Sequence, residues 1–449
     1  MVSFILPGNS ATGGYEVANS VRLDGSSAYM HKTPGSEGNK RTWTFSTWYK
    51  KGSKAIAGND GRWIAVGADS NNRDFIYHGT TNMIGYMSRR SGSSEFDVYT
   101  NNNVHRDVSA WYHLVVAVDT TQGTAANRVK LYLNNVQLTT DNVLSGSSSY
   151  PDQNYDTSFN DDVKHYLARD VPDESYFDGY LAETVLIDGL QLTPSSFGEF
   201  DEDSPTIWKP KDVSGLTFGT NGFYLDYEDS SNLGNDANGG TDFTEVNLAA
   251  TDQSTDTCTN NFCTLNPLNF GHGTLSEGNL KWAASASSGN LAFGTIGIDM
   301  GVSNQFYWES KIDSVGGGVV LGIAPTTLRW NDTGRAGSYG YYSNGDKYNG
   351  TSAATYGASF TTGDIIGVLA GNGTLTFYKN GSSQGTAYSS LTGTWLPFIA
   401  EVGHTNSMNF GSPPYSISSG NTDPDGHGNF EHSTNNGYAL NTKNLAEYG

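Results

Sequence analysis

Trp111-Tyr-His-Leu-Val-Val-Ala-Val-Asp119 is followed by Val129-Lys-Leu-Tyr-Leu-Asn-Asn-Val-Gln-Leu138. Much later, Gly363-Asp-Ile-Ile-Gly-Val-Leu-Ala370 is followed by Thr374-Leu-Thr-Phe-Tyr-Lys-Asn-Gly381. In each pair an apolar strand precedes an alternating strand that ends in Asn-Asn or Asn-Gly. Those dipeptides tolerate the positive φ of a tight hairpin turn. Two copies this far apart predict two related β-sandwiches in one chain, an arrangement suited to binding more than to catalysis.

The composition agrees. The chain has 449 residues, enough for two or three domains that each bury a core. Gly 55, aromatic 12% and charged 16% describe a turn-rich chain of half-buried strands. The expected class is all-β. The net charge of −21 repels phosphate backbones and anionic lipid, so nucleic acid is not an expected partner. No apolar run approaches the ~20 residues of a membrane span, so membrane insertion is not expected. The opening Met1-Val-Ser-Phe-Ile-Leu-Pro-Gly8 lacks the basic region of a secretory signal. Cys258 and Cys263 are too few for a disulfide framework and match neither a redox nor a zinc spacing. Two thiols or one local disulfide both fit.

Along the chain, residues 1–19 read as an arm, 20–200 as a first sandwich and 201–268 as a polar linker region. Residues 269–413 read as a second sandwich and 414–449 as a weakly structured polar tail. The stretch 145–162 reads as a surface loop, and Leu192-Thr-Pro-Ser-Ser-Phe-Gly198 as a short helix with Pro194 just inside it.

Thr42-Trp-Thr-Phe-Ser-Thr-Trp-Tyr-Lys50, Trp111-Tyr-His-Leu114, Leu131-Tyr-Leu-Asn134 and Gly179-Tyr-Leu-Ala-Glu-Thr-Val-Leu-Ile-Asp-Gly189 resemble the laminin-G-like, concanavalin A-like jelly roll. Phe306-Tyr-Trp-Glu309, Leu321-Gly-Ile-Ala324, Gly337 to Gly345, Gly363-Asp-Ile-Ile-Gly367, Phe377-Tyr-Lys-Asn-Gly381, Pro397-Phe-Ile399 and Asn409-Phe-Gly411 resemble the SPRY domain, in order. The resemblance implies two tandem concanavalin A-like jelly-roll sandwiches with an N-terminal arm. With the joining segments Leu225 to Gly234 and Thr259 to Pro267, the chain also resembles virion proteins of tailed, marine-type bacteriophages. That resemblance implies a non-enzymatic tail fibre or receptor-binding protein on the virion exterior, made in the host cytoplasm and contacting host surface glycan or protein. The alternatives it leaves are a capsid fibre or decoration protein, a glycan-degrading tailspike and a bacterial adhesin.

Several groups could carry chemistry. Retaining glycosidases need paired carboxylates ~5–5.5 Å apart, which a Glu-x-Asp-x-x-Glu strand can supply. Glu95-Phe-Asp97 ends in Thr100 where the third acid belongs, and Glu199-Phe-Asp201 ends in Ser204. No Gly-x-Ser-x-Gly stretch reads as a nucleophile elbow preceded by a buried strand. His113 reads as a satisfied core histidine, and His404, His427 and His432 lack metal spacing. No cofactor is required. Ca²⁺ candidates are Asp226, Asp229 and Asp236 with Glu228 and Asn235, then Asp201/Glu202/Asp203 and Asp423/Asp425. The candidate ligand surface is Trp330, Arg335, Tyr339, Tyr341, Tyr342 and Tyr348, since Tyr and Trp give large contact area at small entropic cost. Tyr356 and the pairs Arg62-Trp63 and Arg89-Arg90 are secondary candidates. In the arm, Phe4, Ile5, Leu6 and Tyr15 are expected to anchor the chain to other virion proteins or to a homo-oligomer, preferably a trimer.

Overall fold

The structure, a computed structural model, describes residues 14–52, 61–79, 81–100, 104–138, 150–286, 290–332 and 335–449. It divides into two compact units at 259/260. The architecture is all-β, with one short α-helix among the described residues, Thr442–Tyr448.

The first unit is a sandwich of two antiparallel sheets. One has eight strands, centred on Trp111–Asp119, Thr42–Lys51, Asp178–Asp188 and Ser20–Asp24. The other has seven, running Thr244–Val246, Tyr29–Lys32, His165–Leu167, Gly61–Asp69, Asn72–His78, Ile84–Arg90, Ser93–Tyr99. Alternate residues of each strand point inward. Trp43, Phe45, Tyr49, Leu114, Val116 and Leu186 from one sheet therefore meet Trp63, Ile64, Ile76 and Tyr86 from the other. The hairpin pairs Val118 with Val129 and Leu114 with Leu133. The next turn, Asn134-Asn135 between Val129–Leu133 and Val136–Gln137, has φ 47 and 66, as a type I′ turn requires.

The second unit repeats the plan with two eight-stranded sheets. One contains Gln305–Ser314, Ile365–Gly371 and Thr374–Lys379; the other contains Leu291–Gly294, Thr394–Ala400, Val320–Pro325 and Tyr339–Tyr342. Trp282, Phe306, Trp308, Leu321, Val368 and Phe377 are fully buried between them. The second Asn-Gly turn also has positive φ at both residues, 48 at Asn380 and 77 at Gly381.

Four expectations are corrected here. The region 201–268 is no linker. Phe223–Leu225 pairs with Asp178–Asp188, Thr244–Val246 with Tyr29–Lys32, and Gln253–Ser254 with Ser20–Asp24. Phe218, Phe223, Tyr227, Leu233 and Phe243 are buried in the first unit, while Cys263 and Leu265 start the second core. Nor is 414–449 a loose tail. Phe430, Ala439, Leu440 and Leu445 are buried, and Phe430 packs edge-on against Tyr307 at 5.3 Å. In the supposed surface loop, Phe159 is fully buried and stacks on Trp43 at 4.0 Å; residues 145–149 lie outside the described residues. The expected helix at 192–198 is a single 3-10 turn, Pro194–Ser196. Neither cysteine is in a disulfide.

Candidate functional site

Alternation sorts the aromatic residues around Tyr339–Tyr342. Tyr339 and Tyr341 face the core; Gly340 and Tyr342 face out. Tyr341 is fully buried, its hydroxyl donates to the carbonyl of Ala358, and burial pushes its pKa up to about 12. It is a core residue, not part of a ligand surface. Tyr339 is half-buried against Tyr388 and Trp395, at 4.6 and 5.3 Å between ring centres. Trp330 is half-buried too. It packs on the outer face of the sheet beside Leu328, Phe293 and Phe398, and its backbone N–H donates to Asn269 Oδ1 at 3.1 Å.

What gathers on that side of the second unit is Arg335, Tyr348 and Glu401. The Arg335 guanidinium lies 4.5 Å over the Tyr348 ring and pairs with the Glu401 carboxylate. The phenol of Tyr348 donates to the carbonyl of Gly350 at 2.9 Å, which fixes the ring. Gly350 has φ +86, and a Cβ there would lie 2.7 Å from the Arg335 carbonyl. A glycine therefore lets the two loops close. Glu401 has φ 106, a region L-residues rarely adopt. A strained acidic residue supports a cation stacked on a ring, and the ion pair remains 22% and 21% exposed. The group can offer a planar donor fork, a carboxylate and a phenol ring to a partner's surface. Glu401 was not anticipated. Its one signal is that it is an acid ending the apolar strand Leu396-Pro-Phe-Ile-Ala-Glu401.

The other candidates separate. Asp226 Oδ1 accepts from the N–H of Glu228, and Asp229 Oδ1 from the N–H and hydroxyl of Ser231. Asp236 is buried, accepts from the N–H of Tyr224 at 3.0 Å and faces Lys32 at 3.5 Å. They serve turns and an ion pair and form no common ligand set. Among the described residues, the carboxylates whose oxygens lie within 4.8 Å of one another are Glu37, Asp161 and Asp162. Asp201 is bound by Lys209 at 3.1 Å, and Asp423 accepts from the N–H of Ala439 and from Asn444. Of the partial acid motifs, Asp97 accepts from the Tyr77 hydroxyl at 3.0 Å, and burial raises its pKa to about 6. Thr100 is buried and accepts from the N–H of Ile84.

Phe4, Ile5 and Leu6 lie outside the described residues. Tyr15, expected as an assembly anchor, instead packs on its own sandwich. Its hydroxyl lies 3.2 Å from Glu183 Oε2 and 3.0 Å from the Tyr224 hydroxyl, and Val17 is buried beside Trp48. Burial raises the Glu183 pKa to about 8, at a bulge where its φ is 48. Trp63 is wholly buried, and Arg62 pairs with Asp170. His113 is buried, with Ser46 Oγ at 2.9 Å on one nitrogen and Trp208 N–H at 3.0 Å on the other.

The family model of the SPRY domain matches residues 305–413. The second unit carries a SPRY domain. Ran-binding protein 9 of Xenopus tropicalis is 34% identical over 156 residues, covering 32% of this chain and 26% of that protein. The Ran-binding proteins 9/10 homolog of Drosophila melanogaster is 34% identical over 122 residues, 24% of this chain and 12% of its own length. Ran-binding protein 9 of Homo sapiens is 34% identical over 121 residues, 24% of this chain and 16% of that protein. The chain thus spans about a quarter or less of these relatives' length. Among solved structures, the SPRY domain of human HERC1 aligns with TM-score 0.23 and 17% identity, over 29% of this chain and 93% of that one. A SAP-like pentraxin from Limulus polyphemus aligns with TM-score 0.29 and 15% identity, over 40% and 80%.

These relatives overturn the virion reading. They are Ran-binding proteins of animals, not phage or bacterial surface proteins. The tail fibre, capsid fibre, tailspike and adhesin readings are withdrawn, as are the virion location and the virion and host-glycan partners. The error has a physical root, because a sandwich fold and its hairpins carry no record of source or role. SPRY domains mediate protein–protein binding.

Proposed function

We propose that this chain is a non-enzymatic protein-binding module whose SPRY domain docks a partner over Arg335, Tyr348 and Glu401. The observation that carries the reading is the strained Glu401, φ 106, holding a guanidinium over a tyrosine ring at a partly exposed surface. Arg and Tyr are the residues that most often dominate binding energy at interfaces. Thr100 and Ser204, where catalytic acids would be needed, favour binding over hydrolysis. The first sandwich we read as a laminin-G-like companion, supported by its two antiparallel sheets. Ran, named in the relatives, is the first protein to titrate.

The experiment compares affinity capture by the full chain with capture by Arg335→Ala and Tyr348→Ala. The reading requires a protein held by the native chain and lost with both variants while their folding is intact. Identical capture by all three would refute it.

A further inference from the structure

The outer faces of the first unit's two sheets differ. That of the eight-stranded sheet is filled by the chain itself, with Val115, Ala117 and Val185 covered by Phe197, Val213, Phe218 and Tyr224. On the seven-stranded sheet, Tyr29, His31 and Tyr166 remain half-buried on adjacent strands, with Tyr166 directly opposite His31. Tyr176 joins them. Ring centres lie 5.9 Å apart for His31–Tyr166, 6.2 Å for Tyr29–Tyr166 and 6.1 Å for Tyr29–Tyr176. The Arg169 guanidinium sits 4.3 Å over Tyr29 and 4.5 Å over Tyr166. Lys164 Nζ lies 5.9 Å from the Tyr166 ring.

We propose that this platform docks an acidic protein segment. The first ground is composition. Tyr, His and Arg together give stiff rings with polar tips, as at protein-recognition surfaces. The second is charge. In a chain of −21, the two charges that act on His31 are both cations, Lys164 and Arg169. With burial, they hold the His31 pKa below its ordinary value. Lys164 is exposed and forms no ion pair among the described residues. Arg169 pairs with Asp173 and donates to the Val171 carbonyl, but its Nε is buried and donates to nothing. A carboxylate entering here meets the exposed Lys164 ammonium and the phenols of Tyr29 and Tyr166, beside an Arg169 paired with Asp173, which also accepts the Tyr176 hydroxyl; this is a setting for charge-assisted hydrogen bonds. The remaining negative charge of the chain is screened beyond ~8 Å at physiological salt. A nucleic acid would place many more charges within that field, so it fits less well. This site lies in the first sandwich and is independent of the SPRY reading.

The test titrates fluorescein-labelled octaglutamate, octalysine and octathymidylate against the full chain, Lys164→Glu and Tyr166→Ala. Lys164 is exposed, so its variant folds even if substitutions nearer Arg169 do not. Octaglutamate should bind, weaken as NaCl rises, and lose about tenfold in affinity with Lys164→Glu and with Tyr166→Ala. Octalysine should not compete. The proposal is overturned if octaglutamate fails to bind, if both variants bind it as the native chain does, or if octathymidylate takes the same residues in preference.

Discussion

The buried carboxylate of Glu309 accepts the backbone N–H of His432 at 2.8 Å, although they lie 123 positions apart in the chain. Its other oxygen accepts the N–H of Glu431 at 3.1 Å and the amide of Asn409 at 3.1 Å. One acid in the apolar strand Phe306-Tyr-Trp-Glu309 thus pins a C-terminal segment that extends past the SPRY match at 413. A buried carboxylate in this position is stable only while those donors stay in place.

The first prediction follows from that pinning. Glu309→Ala should leave buried N–H groups unsatisfied and cost roughly 2–3 kcal/mol of unfolding free energy. Phe430→Ala should cost about 3–5 kcal/mol, because it empties the pocket against Tyr307. Urea denaturation of the full chain, followed by tryptophan fluorescence, measures both. Unchanged midpoints would mean that the C-terminal segment contributes nothing to the second core.

The second prediction concerns Glu183. Its pKa is raised from 4.5 to about 8, first by burial. A folded state that keeps a proton the unfolded chain releases is most favoured below pH 4.5. That contribution is lost as pH rises through 8. The Glu183 contribution should therefore fall between pH 5 and 9, by an amount on the order of a few kcal/mol. Glu183→Gln should remove that part of the slope while Tyr15 and Tyr224 stay in place. Parallel stability–pH curves for native and variant would sink the assignment.

The third prediction has the opposite sign. His78 is held at about 3, mainly by burial and then by Lys51 and Arg62, and His165 and His404 at about 4 by burial. These rings stay neutral in the fold but charge in the unfolded chain below 6.5. Their contribution is complete above pH 6.5 and is lost as pH falls toward 3. Acid unfolding should begin in that window. His404→Gln should shift the midpoint to lower pH; a midpoint unmoved by the substitution would contradict the account.

The strands carrying strong alternation were legible in the sequence. Val129–Leu133 turns at Asn134-Asn135 to pair with Val136–Gln137, and Thr374–Lys379 turns at Asn380-Gly381 to pair with Ser382–Tyr388, as their Asn-Asn and Asn-Gly endings imply. Residues 201–268 and 414–449 were not, because their buried rings, Phe218, Phe243 and Phe430 among them, are spaced irregularly between Asn, Asp and Gly turns. Period-based reading needs a run, and these segments bury single residues from coil. At the candidate site, Arg335 and Tyr348 could be singled out by type. Tyr341 could have been removed by alternation, since Gly340 and Tyr342 must face the other way. Glu401 depended on a contact across 66 residues that no local pattern records.

The central claim is that Arg335, Tyr348 and Glu401 form a protein-docking surface. The most direct measurement is calorimetric titration of the captured partner into native protein, Arg335→Ala and Tyr348→Ala. The account predicts one saturable site, weakened at least about tenfold in each variant with melting temperature retained. Equal affinity for all three proteins would contradict it.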